Sequence, residues 1–190
     1  MLDMLNTKYI ILSPGEGAAP IAQQNPGALG AAWFVKEFKV VANADEEIEA
    51  LTGFVPSQVA VVDKRFATQL NGLNISFDST ATIRMIDYKA NHLTYESKAG
   101  SEQLAVLSEI YYDKGWNAYL DGKIVPHFRV NYVLRAMRVP EGNHKIEFKF
   151  EPPVYINGER IALAGSIILI LLFVSLSFRE LKATSVKEKS

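Results

Sequence analysis

The chain has 190 residues, of which 48% are apolar and 22% charged, close to the globular average, so wholesale disorder and a collagen-like repeat are excluded. Twenty Lys and Arg stand against 21 Asp and Glu, a net charge of -1, which leaves no concentrated basic face for a nucleic-acid binder. There is no cysteine, which removes disulfide scaffolds, thiolate metal sites and Cys nucleophiles and leaves the redox compartment open.

In chain order, residues 8–12 (KYIIL) form a short β-prone run, and a Gly/Pro/Ala-rich loop follows over 13–30. Residues 33–41 (WFVKEFKVV) read as one strand, with Trp33, Val35 and Glu37 on one side and Phe34, Phe38 and Val40 on the other. Asn43 opens a short helix: its side chain caps the amide of Glu46, and Asp45, Glu46 and Glu47 suit the positive end of the helix dipole. Ile48 and Leu51 supply its buried stripe and Gly53 its stop. Residues 59–63 (VAVVD) are a strand again, so the opening portion is a strand-strand-helix-strand unit. The charged triplet Asp63-Lys64-Arg65 reads as a solvated strand end.

From about residue 74 the pattern changes to period two with regular turn signals. Strands are expected over 82–89, 92–98, 103–112, 116–120, 123–128, 132–139 and 144–151. The last is the cleanest, Ile146, Phe148 and Phe150 alternating with charged neighbours. Asp121-Gly122 suits a type I′ hairpin, because both central positions take positive φ. Seven short strands at this spacing favour a β-sandwich.

Residues 161–178 (IALAGSIILILLFVSLSF) run for eighteen positions without a charge. As a helix they cover about 27 Å, the thickness of a bilayer's hydrocarbon core. The run is apolar all round, unlike the one-sided stripe of a core helix. Arg179, Lys182, Lys187 and Lys189 follow it, and Lys145, Lys149 and Arg160 precede it, which barely biases orientation. The expected division is therefore a small α+β unit over 1–66, a β-sandwich over 67–153, a linker over 154–160, a transmembrane helix over 161–178 and a tail over 179–190. The fold class is mainly β (α+β) with one C-terminal transmembrane helix. Read as complete, the chain would be tail-anchored in the cytosol; read as the end of a longer protein, its soluble part could lie on either side.

No recognisable catalytic motif appears. His92, His127 and His144 are too far apart in sequence for a helical metal pair, and there is no HExxH, GxSxG, Walker A or dinucleotide loop. No cofactor or metal ligand is assigned. One candidate binding site is aromatic: Tyr112, Trp116 and Tyr119 crowd the Asp121-Gly122 hairpin together with Asp113, Asn117 and Asp121. Rings with polar tips stack on sugar faces while the carboxylates and amide take hydroxyl bonds. Core packing explains the same rings, because residues on opposite faces of one strand do not line one groove.

Residues 108–123 (SEIYYDKGWNAYLDGK) resemble the "YYpGWkayvDGk" hairpin near the C-terminus of bacterial YfhO-family membrane proteins. The agreement continues through 128–132 (FRVNY), 134–136 (LRA) and 139–148 (VPEGNHKIEF), followed by a last membrane span. Upstream, 5–11 (LNTKYII) and 28–35 (ALGAAWFV) resemble the family's entry into this domain, although Ala31 replaces a longer polar residue. The resemblance implies a polytopic membrane protein similar to GT-C glycosyltransferases, using polyprenyl-phosphate sugars to decorate envelope polymers outside the cytoplasmic membrane. It implies that the catalytic acidic residue lies in an early extracytoplasmic loop, so none is carried over to this chain, and that Met1 is internal to a longer protein or marks a truncated reading frame. The soluble part would be extracytoplasmic, partnered by the bilayer, the parent's membrane-embedded region and an envelope glycan. The rivals are a membrane-tethered carbohydrate-binding module acting on its own and a tail-anchored cytosolic interaction domain.

Overall fold

A computed structural model of the chain describes residues 1–13, 15, 19–76 and 78–187. It divides into two units, Met1–Phe150 and Glu151–Ser190.

The first unit is built from β-sheets. A five-stranded antiparallel sheet contains β6 (Thr82–Lys89), β7 (His92–Ala99), β9 (Trp116–Leu120), β10 (Lys123–Val125) and β13 (Gly142–Phe150), in the order β10-β9-β13-β7-β6. Facing it is a four-stranded sheet of β3 (Ala32–Val35), β8 (Gln103–Ile110), β11 (Phe128–Val130) and β12 (Leu134–Val139), in the order β11-β12-β8-β3. Between the two sheets lie Tyr95, Ala105, Leu107, Ala118, Met137, Ile146 and Phe148. The other face of the four-stranded sheet carries Trp33, Val35, Leu104, Val106 and Leu134, packed on Val41, Leu51, Ala60, Val61 and Val62. Those come from a third layer, in which β4 (Glu37–Val41) runs parallel to β5 (Val59–Asp63) across the helix α1 (Ala44–Ala50).

The middle sheet is thus covered on both faces, which is why β8 reads LAVL without alternation and is buried from Gln103 to Leu107. The expected period two does not apply there. The expected strand over 33–41 is two strands: the chain leaves β3 at Lys36, whose amide and that of Glu37 both donate to the Gln58 carbonyl, and continues as β4 in another sheet. The break resets the alternation, so Phe38 packs with Trp33 and Val35 instead of opposite them.

α1 starts as its sequence dictates. Asn43 Oδ1 accepts from the Glu46 amide at 2.9 Å, and Glu46 Oε2 accepts from the Ala42 amide at 3.0 Å. Its buried stripe differs from expectation: Leu51 is buried, Ile48 is 46% exposed, and the inward residue is Glu47. The Asp121-Gly122 turn takes φ of 49° and 80°, as a type I′ hairpin requires.

Within the expected loop over 13–30, β2 (Ile21–Gln24) pairs with β1 (Tyr9–Leu12) as a separate ribbon. The Gly15-Glu16-Gly17 stretch of that loop lies partly outside the described residues.

In the second unit α2 runs from Pro153 to Lys187. Residues 154–160, expected as a linker, are already helical, and Pro153 holds the first position, where its missing N–H is not needed. Pro153–Phe178 contains an 18-residue window with a mean hydropathy of 2.6 and is long and apolar enough to cross a membrane. Ser166 and Ser177 return their hydroxyls to carbonyls one turn back, at 2.9 Å each.

Candidate functional site

The six residues singled out around the hairpin are divided by the pleat of β9. Cross-strand partners across β13 are Phe150 for Trp116, Phe148 for Ala118 and Ile146 for Leu120, all on the inner face. Asn117 and Tyr119 point outward, opposite Lys149 and Glu147. Tyr112 and Asp113 lie in the loop entering β9, and Asp121 lies at its far end, about 17 Å away along the strand. The structure brings Asn117 and Tyr119 onto one face, puts Trp116 on the other, and sets Asp121 in the hairpin turn two residues beyond Tyr119.

Trp116 is half-buried against the inner cluster. Its ring is 5.4 Å from that of Phe150, and the Arg135 guanidinium lies 4.3 Å from its centroid. Arg135 is only 3% exposed; its Nε donates to the Ile110 carbonyl at 2.9 Å, while Nη1 has no protein partner. A bulge between Leu134 and Arg135 locally shifts the register with β8. Around this cation burial dominates the titrations. It pushes Glu109 up, opposed by the Arg135 charge, and raises the Tyr95 phenol. It pushes His127 down to about 4, and the Arg135 charge adds to the effect. A chain of ring contacts crosses all three layers at this end: Phe66–Tyr111 at 5.7 Å, Tyr111–His127 at 5.5 Å, His127–Phe148 at 5.5 Å and Phe148–Tyr95 at 6.2 Å.

The outer face is polar and knitted together. Glu147 sits at its centre, 2.9 Å from His92 Nε2, 3.3 Å from Lys145 Nζ and 3.7 Å from Lys149 Nζ. Burial alone would raise its carboxyl, but the His92 and Lys145 bonds and the Lys149 charge outweigh it and hold the group below the usual range. Lys149 Nζ also lies 4.7 Å from the Tyr119 ring centroid. Asp121 braces the hairpin: its carboxylate accepts from the Lys145 amide at 2.9 Å and lies 2.7 Å from His144 Nδ1. That bond lowers Asp121 and raises His144.

A second constellation was not visible in the sequence. Glu47, fully buried on α1, accepts from Arg129 Nη2 at 2.6 Å and from the Tyr132 amide at 2.8 Å. Arg129 Nη2 is also 3.6 Å from Asp63. Asp63 is no solvated strand end. It is 1% exposed, and it caps the 3₁₀ segment Lys64–Leu70 by accepting from the Arg65 amide at 2.8 Å and from its guanidinium. Its carboxyl is held low by the Arg65 bond, with burial opposing. Asn131 and Tyr132 take φ of 50° and 70°, a region that side chains rarely adopt. Asn131 is held there by a two-way bond with the main chain of Val61, both legs 2.8 Å. The one sequence signal for this cluster is an arginine between the buried Phe128 and Val130. Among the described residues no group of three or more His, Asp or Glu is placed to hold a metal ion.

An antiparallel sandwich with a parallel βαβ layer on its back is continued by a helix long and apolar enough to cross a membrane, the pattern of a β-domain protein with a candidate membrane span. The family model of the bacterial membrane protein YfhO matches residues 63–162, more than half of the chain, from the end of β5 through every strand of the five-stranded sheet and into α2. The chain belongs to this family. Comparisons with curated proteins and with solved structures give no match.

Proposed function

We propose that this chain is a non-catalytic extracytoplasmic domain, together with the last membrane span, of a polytopic YfhO-type protein. The parent would resemble a glycosyltransferase that takes sugar from a polyprenyl-phosphate donor, with its catalytic acid outside this chain. The observation that supports the reading is the extent of the family match, which runs through the five-stranded sheet and into the start of α2. In such an arrangement the domain covers the membrane-embedded site and holds an acceptor glycan of the envelope. The absence of cysteine gives a direct test of sidedness. Lys123→Cys, on the exposed edge strand, should react with a membrane-impermeant maleimide in intact bacterial cells. Labelling only after permeabilisation would place the domain in the cytoplasm and sink the reading.

A carbohydrate-binding module acting on its own is the second reading, favoured by the shared outward placement of Tyr119 and Asn117. It requires saturable glycan binding by the chain alone, lost in Tyr119→Ala with the fold intact. The accessory reading expects little binding without the rest of the protein.

A further inference from the structure

The sandwich has two unlike ends. At one, the strands are joined by polar turns: Gly100-Ser101, Asp121-Gly122 and Pro140-Glu141, with Asp78 accepting from the Gly100 amide at 2.7 Å. None of the exposed large apolar side chains lies in those turns. At the other end the picture reverses. Tyr88 is 65% exposed, Ile110 56%, Tyr112 49%, Phe150 39% and Tyr132 36%. Strand register places them together: Trp116 pairs with Phe150, the Phe150 amide donates to the Asn91 carbonyl in the β6–β7 turn, and the Tyr111 amide donates to the Val133 carbonyl. The Arg135 contact with Trp116 brings the Ile110 and Leu134 ends of the middle sheet to the same place.

The chain also leaves the sandwich at this end. Only Glu151 and Pro152 separate Phe150 from the first residue of α2, so Phe150 is within about 11 Å of that residue by chain length alone, and the charge-free run begins at Ile161, about 12 Å further along the helix. Aromatic residues with an apolar body and a polar tip collect at the level of lipid headgroups.

We propose that this aromatic end of the sandwich, with Tyr88, Ile110, Tyr112, Tyr132 and Phe150, is a lipid-contact surface that rests in the headgroup layer of the bilayer entered by α2. The proposal assigns to Tyr112 a lipid contact in place of a sugar contact. It rests on the reading of α2 as a membrane span.

The test uses the full chain in vesicles of phosphatidylcholine and phosphatidylglycerol. Single cysteines replace Tyr88 or Tyr112 at the aromatic end and Lys123 or Glu141 at the turn end, each carrying an environment-sensitive fluorophore. Lipids bearing a nitroxide near the headgroup should remove most of the emission at positions 88 and 112 and little at 123 and 141. Aqueous iodide should give the opposite ranking. Equal response at the two ends, with the chain floating with the vesicles, overturns the lipid contact and leaves the span intact. Labels at 88 and 112 that are shielded from iodide but untouched by the nitroxide lipid would assign the surface to protein, and also overturn it. A chain that fails to float with the vesicles removes the span reading and this proposal with it.

Discussion

At the scale of single residues, buried charge is what ties the back layer to the middle sheet. Glu47 is fully buried, and its carboxylate depends on Arg129 and on the Tyr132 amide for its hydrogen bonds. Removing one partner of such a pair leaves the other charged and desolvated. Arg129→Met should therefore cost about 3–5 kcal/mol of unfolding free energy, measured by urea titration of the detergent-solubilised chain. Adding Glu47→Gln to it should restore part of the loss, because no uncompensated carboxylate remains. Trp116→Ala, whose ring is packed against Phe150 and Arg135, should lose about 3 kcal/mol, a core-type effect. A fold that stays at full stability without Trp116 would contradict its placement here.

His127 adds a pH dependence whose sign is fixed by its burial. Its pKa is about 4 in the folded chain against 6.5 for an ordinary histidine, so between those values the unfolded chain binds the additional proton. Stability should fall as pH drops through that window and level off below it, by about 1–2 kcal/mol after solvent screening of a half-buried ring. His144 is raised and acts in the opposite direction, contributing stability at low pH that is lost above its folded pKa. Comparing His127→Phe with the parent chain isolates the first effect. The carboxylates held low by their partners, Asp63, Asp121 and Glu147, lose their contribution at lower pH, below the ordinary carboxylate range.

At the scale of elements, local chemistry was legible wherever a few neighbouring residues decide the outcome. Asn43 caps α1 through the Glu46 amide, and Asn43→Ala should cost about 1 kcal/mol, read as a lower thermal midpoint. Asp121-Gly122 makes its hairpin for the same reason, and the paired β9 and β13 keep period two in register, although Glu147 on the outer face is buried as well as Ile146 and Phe148. Sequence pattern gives way where the partner is distant. Nothing within residues 33–41 says that Lys36 and Glu37 will turn toward the Gln58 carbonyl and divide one apolar run between two sheets. Nor does an acidic helix with Asp45, Glu46, Glu47 and Glu49 reveal which carboxylate meets an arginine eighty-two positions later. The hairpin aromatics show the limit most plainly. Period two already allowed that rings on opposite faces of one strand line no common groove, and the register sends Trp116 inward and Tyr119 outward; the separation of Asp113 from Asp121 by the strand's length adds to it.

At the scale of the whole molecule, the two units draw their cohesion from different sources. Met1–Phe150 has two interior clusters of its own, divided by the middle sheet. The 161–178 stretch of α2 is apolar on all sides, which suits lipid as its solvent. A chain ending at Phe150 should thus keep the β-rich circular dichroism and cooperative urea transition of the full chain's first unit. Loss of that transition on truncation would mean that the sandwich depends on the helix for its fold. A charge placed in the apolar run should leave the first unit unchanged and weaken only membrane insertion. Leu169→Arg puts a guanidinium near the middle of residues 161–178 at a cost of about 2.5–3.5 kcal/mol for insertion. The expected outcome is a larger carbonate-extractable fraction of the variant, with the urea midpoint of the sandwich unmoved; a midpoint that shifts with the helix charge would show that the two units are energetically coupled.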